Sequence, residues 1–185
     1  FFQDSHPILQ HCLFFVFIWL YYYVFIHVLY YGLGWAMRQC FVVVKPNAEN
    51  LKLSKKSQIQ QMLHSESAFP MFCVVPTVGD VLRFQGYSQV TTTFEECGGI
   101  GQSLINFMVY MFLVEGGVFF VHYWMLHKWP WGKKHLNHDD HHQYVHDDEM
   151  STWSGYAFEA IDGTLQGVPF VLFQFVVPIP ETLSV

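Results

Sequence analysis

No charged residue occurs between Asp4 and Arg38, and from Ile8 to Tyr30 the only strongly polar positions are Gln10, His11 and His27. A helix crossing the hydrocarbon core of a bilayer needs about 20 apolar residues. Residues 1–37 are therefore expected to hold a first transmembrane segment. The pattern changes after it: Arg38, Lys45, Lys52, Lys55 and Lys56 gather in a stretch with helical character after Pro46. Residues 38–66 read as an extramembrane or interfacial linker. The apolar run Ser67–Leu82 is short and holds Pro70, Pro76 and Asp80, so it spans only with help from its flanks. Residues 84–103, with a Gly-Tyr-Ser turn, a Thr triplet and Gly98-Gly99, read as a loop. Leu104 to Val121 is again long enough to cross, making 67–121 a membrane hairpin. Charged and His-rich residues dominate 122–162, and an apolar run with Pro169, Pro178 and Pro180 opens a further membrane segment over 163–185. The expected fold is an all-α integral membrane protein with three to four membrane-associated helices and a cytosolic histidine-rich helical cap.

Composition supports that pattern. Of 185 residues 52% are hydrophobic, 19% aromatic and only 13% charged, against about 25% charged in an average soluble domain. Too little polar surface remains to cover a water-facing globule, so lipid is the expected solvent. A net charge of −6 with scattered acids excludes a basic nucleic-acid surface. The four cysteines, Cys12, Cys40, Cys73 and Cys97, form no CxxC pair and so give neither a disulfide framework nor a zinc knuckle. Five Lys/Arg lie in 38–66 and none in 84–103, which orients the linker and the histidine-rich region toward the cytosol. Lys128, Lys133 and Lys134 agree with that side.

Eleven histidines are present, and seven fall between His122 and His146. His138-Asp-Asp-His141-His142 is an HxxHH motif whose i, i+3, i+4 spacing puts three imidazoles on one helix face. Upstream, His122 and His127 form an HxxxxH pair at the mouth of a spanning helix. At roughly 100° per residue, an α-helix separates these two rings by about 140°. Shared ligation then requires a π-bulge, a helix end, or two metal partners. Imidazole suits iron, zinc and copper, and nitrogen-rich ligation can hold two irons without building negative charge near lipid. A hydrolytic zinc needs only three ligands and a water, fewer than are clustered here. The pattern points to a di-iron oxygenase site at the membrane surface.

Other candidates carry plainer readings beside the functional one. His135 and His146 extend the stripe and are candidate ligands, with solvated neighbours the simpler reading. Asp139, Asp140, Asp147, Asp148 and Glu149 form an exposed acidic face or orient imidazoles. The separate His6, His11, His27 and His64 read as packed or interfacial histidines. Glu115, a carboxylate at the depth of a spanning helix, is costly without a partner. It reads either as a residue supporting the ligands from behind or as a structural hydrogen-bonding group.

With these motifs in place, the chain resembles the fatty acid hydroxylase superfamily, and within it the sterol C-5 desaturases (lathosterol oxidase-like). The resemblance rests on the amphipathic stretch Lys55 to His64, Arg83-Phe-Gln-Gly-Tyr-Ser88 and Glu115-Gly-Gly-Val-Phe-Phe-Val-His122. The HxxHH motif and Gly155-Tyr-Ala-Phe-Glu-Ala-Ile-Asp-Gly-Thr-Leu-Gln166 complete it. It implies an endoplasmic reticulum enzyme with a cytosol-facing di-iron site that uses O2 to introduce the C-5 double bond of a sterol. Electrons are implied to come from NAD(P)H through a cytochrome b5 or reductase system. His122 and His127 match the family's first histidine box, and His138, His141 and His142 the second.

Three departures accompany the resemblance. The first box is one residue longer than the usual HxxxH. Glu159-Ala160 stands where His-Pro is usual, leaving Glu159 as a candidate oxygen ligand. The third histidine box is implied to follow the last membrane segment, and the chain ends before it. The isolated chain is therefore expected to bind iron poorly and to be inactive. A hydroxylase or methyl oxidase of the same superfamily, acting on a sterol or fatty acyl chain, shares the first C–H abstraction. An inactive sterol-binding membrane scaffold is the reading from another class. A haem protein needs histidines at matched depths in two spans, and only His11 and His27 lie inside one.

Overall fold

The computed structural model describes residues 7–44, 55–136, 151–157 and 159–184. Its first helix, α1 (Pro7–Val44), is 38 residues long, about 57 Å at 1.5 Å per residue. It continues past residue 37 through Arg38 and Gln39 to Val44, with no proline after Pro7 to end it. Large apolar side chains face outward along it, with Phe17 71% and Val28 65% exposed. Such a surface is stable only against lipid or another apolar partner.

The next stretch forms two helices in series, α2 (Lys55–Phe72) and α3 (Val74–Phe84), with a break at Cys73. Pro70 removes one backbone donor there, and the Pro70 carbonyl accepts from Trp19 Nε1 at 2.9 Å. The pair runs antiparallel to α1. Tyr31 and His27 meet Glu66 in the second half of α2, while Tyr22 donates to Asp80 Oδ2 in α3 at 2.7 Å. His27 is a packed histidine, with Nε2 2.8 Å from Glu66 Oε2 and Nδ1 2.6 Å from the Tyr23 carbonyl.

A turn at Gln85–Gly86, with Gly86 at φ 83°, leads to the short strand β1 (Val90–Thr91). Helix α4 (Gly99–Phe119) then returns alongside, and continues without a break into a π-helix, Phe120–Lys128. Trp129 ends it in an extended conformation (φ −76°, ψ 117°), as a residue before proline prefers. Pro130 then starts α5 (Pro130–His135) at the position where a missing N–H does no harm. Three described stretches, Ile8–Cys40, Lys55–Phe84 and Gly99–Lys128, are long and apolar enough to cross a membrane.

The final apolar run does not form one long helix. Helix α6 (Ala160–Leu172) contains Pro169 and gives way to a short 3-10 turn and to β2 (Ile179–Pro180). Together these pieces run antiparallel to α4 along most of its length. Gln166 lies beside His122, the Phe170 carbonyl accepts from Tyr110, and the Pro178 carbonyl accepts from Asn106. Strand β2 then pairs in parallel with β1, Val90 opposite Ile179 and Thr91 opposite Pro180.

Three small cores hold this arrangement. Tyr110, Val114, Val177 and Ile179 lock α4 to the last run. Tyr30, Phe69 and Trp153 join α1, α2 and the 151–157 segment. Val121, Leu126 and Leu136 close the π-helix onto α5, with Leu165 of α6 packed against them.

Candidate metal centre

The π-helix answers the spacing problem posed by His122 and His127. Its hydrogen bonds run from i to i+5, so residues five apart stack along the helix axis, as residues four apart do in an α-helix. The closing bond from Trp129 N to the Trp124 carbonyl, 2.8 Å, has that register. The two imidazoles consequently meet edge to face, centroids 5.0 Å apart, with Nε2 of each 3.3 Å from the other. Both rings are half-buried.

A metal bonded to two nitrogens at about 2.1 Å holds them roughly 3.0–3.4 Å apart at right-angled to tetrahedral geometry. The observed 3.3 Å falls in that range, and two neutral nitrogen donors suit iron, zinc or copper. The two nitrogens are spaced as two donors to one transition metal would be, short of a full ligand set among the described residues.

Two features fix the pair in place. Gly132 of α5 lies where a Cβ would collide with the Met125 carbonyl oxygen, so only glycine lets α5 fold this closely against the π-helix. On the other side, Gly117 admits α6: a Cβ there would stand 2.8 Å from Pro169 Cβ and 3.0 Å from Phe173 Cε2. That approach places Gln166 Oε1 3.3 Å from His122 Nδ1. Gln166 Nε2 in turn donates to Asp162 Oδ1 at 2.8 Å, and Asp162 is fully buried. Asp162 and Gln166 are four apart on α6 and share a face. That spacing is visible in the sequence, but nothing in it shows that the face meets His122.

His138, His141, His142 and His146 lie outside the described residues, as do Asp139, Asp140, Asp147, Asp148 and Glu149. His135 is exposed at the end of α5, its ring against Trp131 at 5.1 Å. Glu159 precedes α6, and its Oε1 lies 3.7 Å from Nε2 of His64. His64 thus stands beside a candidate ligand, which its solitary place in the sequence did not signal. Glu115 is exposed on α4 and makes no hydrogen bond or ion pair to any described residue. Among the described residues no group of three or more His, Cys, Asp or Glu is gathered tightly enough to hold a metal alone.

A separate apolar cavity of about 320 Å³ lies between α1, the α2–α3 break and the 151–157 segment, with Tyr22, Tyr30, Phe72 and Tyr156 in its wall. Neither His122 nor His127 lines it.

No protein-family model and no solved structure matches the chain. Among curated proteins it is similar to a putative Delta(7)-sterol-C5(6)-desaturase 2 of Arabidopsis thaliana, 30% identical over 166 residues, 87% of this chain and 58% of the relative. It is likewise similar to the Delta(7)-sterol-C5(6)-desaturase of Nicotiana tabacum, 29% identical over 68% of this chain and 45% of the relative. A Delta(7)-sterol 5(6)-desaturase of Candida albicans is 25% identical over 91% of the chain and 40% of its own length. The chain spans about half the length of these curated relatives.

Proposed function

We propose that this chain, a relative of the Delta(7)-sterol-C5(6)-desaturases over most of its length, belongs to a membrane oxidoreductase that introduces the C-5 double bond of a sterol. The observation that carries the reading is the His122–His127 pair, whose Nε2 atoms converge to 3.3 Å at the end of a candidate membrane span.

In this reading His122 and His127 present two neutral nitrogen donors from the π-helix. His138, His141 and His142 complete the set, and His135 and Glu159 are candidates for further positions. Two bound irons supply the O2-activating chemistry needed to break an unactivated C–H bond. The reaction balances when O2 is reduced to two waters, taking two electrons and two protons from the sterol C–H bonds. The other two electrons come from NAD(P)H through a cytochrome b5 or reductase partner, with two protons from solvent.

The residues explain how such chemistry can sit beside lipid. Imidazole donors add no negative charge to a site flanked by the apolar surface of α4, where Phe112 is 78% exposed. A sterol dissolved in the bilayer can approach laterally, since the histidine pair lies at the end of a candidate membrane span. The basic residues Lys128, Lys133 and Lys134 follow immediately and favour the cytosolic face. In a eukaryotic cell that face belongs to the endoplasmic reticulum under this reading.

Iron analysis tests the reading. The protein, expressed from its complete coding sequence, is expected to carry two irons per chain, and His122→Ala and His127→Ala are each expected to remove them. A folded wild-type protein without iron, after expression in iron-replete cells, contradicts it.

A further inference from the structure

We propose that Gln166 and Asp162 are positioning residues that hold His122 as the Nδ1–H tautomer and turn its Nε2 lone pair toward His127. The inference rests on the metal-centre reading for its purpose, although its geometry stands without any metal.

Asp162 is fully buried in the first turn of α6, where the helix N-terminus favours a carboxylate. The Gln166 side chain faces it with the amide nitrogen, Nε2 donating to Oδ1 at 2.8 Å. That choice fixes the other end of the amide. Oε1 faces His122 Nδ1 at 3.3 Å, and an amide oxygen cannot donate. The proton in this contact therefore belongs to Nδ1. A neutral imidazole has one N–H, so its Nε2 is left as a lone pair, aimed at the point where Nε2 of His127 also arrives, 3.3 Å away.

Metal-bound histidines are commonly oriented by such a contact from the opposite ring nitrogen. Here the carboxylate acts through an intervening amide rather than directly. The relay is directional, and each link sets the next. Exchanging the Asp162 carboxylate for an amide lets position 162 donate instead. Gln166 can then rotate, present Nε2–H to His122 Nδ1, and force the proton onto the nitrogen that should bind metal. Exchanging both residues restores an acceptor opposite Nδ1.

The test uses the protein expressed from its complete coding sequence, in lipid nanodiscs at a fixed neutral pH, with 15N-labelled histidine and chelator-treated protein. His122 signals are assigned by their loss in His122→Gln. The wild type is expected to show His122 protonated at Nδ1, Asp162→Asn at Nε2, and the double variant Asp162→Asn/Gln166→Glu at Nδ1 again. Cobalt(II) titration of the same samples is expected to show a roughly 10–100-fold weaker affinity for Asp162→Asn, recovered in the double variant. A role limited to packing would not produce that recovery. Protonation of wild-type His122 at Nε2 overturns the proposal even if the variants fail to fold. So does a folded Asp162→Asn protein with unchanged tautomer and cobalt affinity. Wild-type protein with the Nδ1–H tautomer but no cobalt binding would leave the relay standing and remove the metal-centre reading instead.

Discussion

His122 and His127 are five residues apart in the chain, yet their Nε2 atoms lie 3.3 Å from each other. In an α-helix the same residues would point about 140° apart. The π-helix Phe120–Lys128 removes that difference by advancing its hydrogen-bond register by one residue. An HxxxxH pair on a π-helix is therefore the geometric equivalent of an HxxxH pair on an α-helix. The additional residue between His122 and His127, relative to an HxxxH pair, is absorbed by the backbone, and the convergence of the rings is retained.

Deleting the exposed Trp124 tests this equivalence directly. The deletion is expected to relax the π-helix to an α-helix, leave the two histidines four apart, and keep cobalt affinity within about tenfold of wild type. His127→Ala is expected to weaken it by more than about 100-fold, exceeding the usual effect of losing an outer partner. A Trp124 deletion that folds but binds as poorly as His127→Ala would contradict the account.

Gly117 and its neighbour Gly116 separate close packing from helix propensity. A Cβ at Gly117 meets Pro169 and Phe173, whereas at Gly116 nothing lies within 4 Å. Gly117→Val is expected to lose about 1–3 kcal/mol through overpacking, lowering the melting temperature in detergent. Gly116→Ala is expected to be neutral or mildly stabilising. Equal effects at both positions would show that α6 does not approach α4 as described.

Tyr30 fastens the 151–157 segment to the membrane helices. Its buried hydroxyl lies 2.9 Å from the Trp153 carbonyl and 3.1 Å from Ser65 Oγ. The Ser65 hydroxyl itself donates to the Gln61 carbonyl, and Ser151 Oγ bonds Gln61 Oε1. Tyr30→Phe removes the donor to Trp153 O and is expected to cost about 1–3 kcal/mol. Amide exchange over 151–157 should accelerate while α4 stays protected. Unchanged exchange in this segment would contradict the tie.

Glu96, in the loop before α4, supplies a pH-dependent contact. The Thr92 backbone N–H and hydroxyl both bond its carboxylate and hold its pKa below the ordinary glutamate value. Because the folded value is the lower one, the contribution is complete above the unfolded pKa and is lost as pH falls through the folded value. A carboxyl NMR titration is expected to place the Glu96 midpoint below that of a free glutamate. A midpoint at or above it would contradict the contact.

Much of the fold was legible because a membrane span announces itself by composition. The uncharged run before Arg38 and the apolar stretch through Val121 became α1 and the α4–π-helix unit. The break between α2 and α3 followed from Pro70 and Pro76. Less legible was the last run, because Pro169, Pro178 and Pro180 prevent a continuous helix and the run ends in a turn and a two-residue strand. The histidine pair was legible in identity, and a π-bulge was one of the conformations its spacing allowed. The Gln166–Asp162 relay was not legible. It depends on Gly117 admitting α6 to one particular depth, a tertiary fact without a local signature. Glu115, the carboxylate that sequence position made attractive, instead faces outward, and the contact to His122 comes from Gln166.

The most direct measurement is the sterol product formed when the protein is expressed, from its complete coding sequence, in cells lacking sterol C-5 desaturase. The expected product is a sterol with two fewer hydrogens and a new C-5 double bond, with no such product from His127→Ala expressed at the same level. An unchanged sterol fraction, or a product that gains oxygen instead of losing hydrogen, would contradict it.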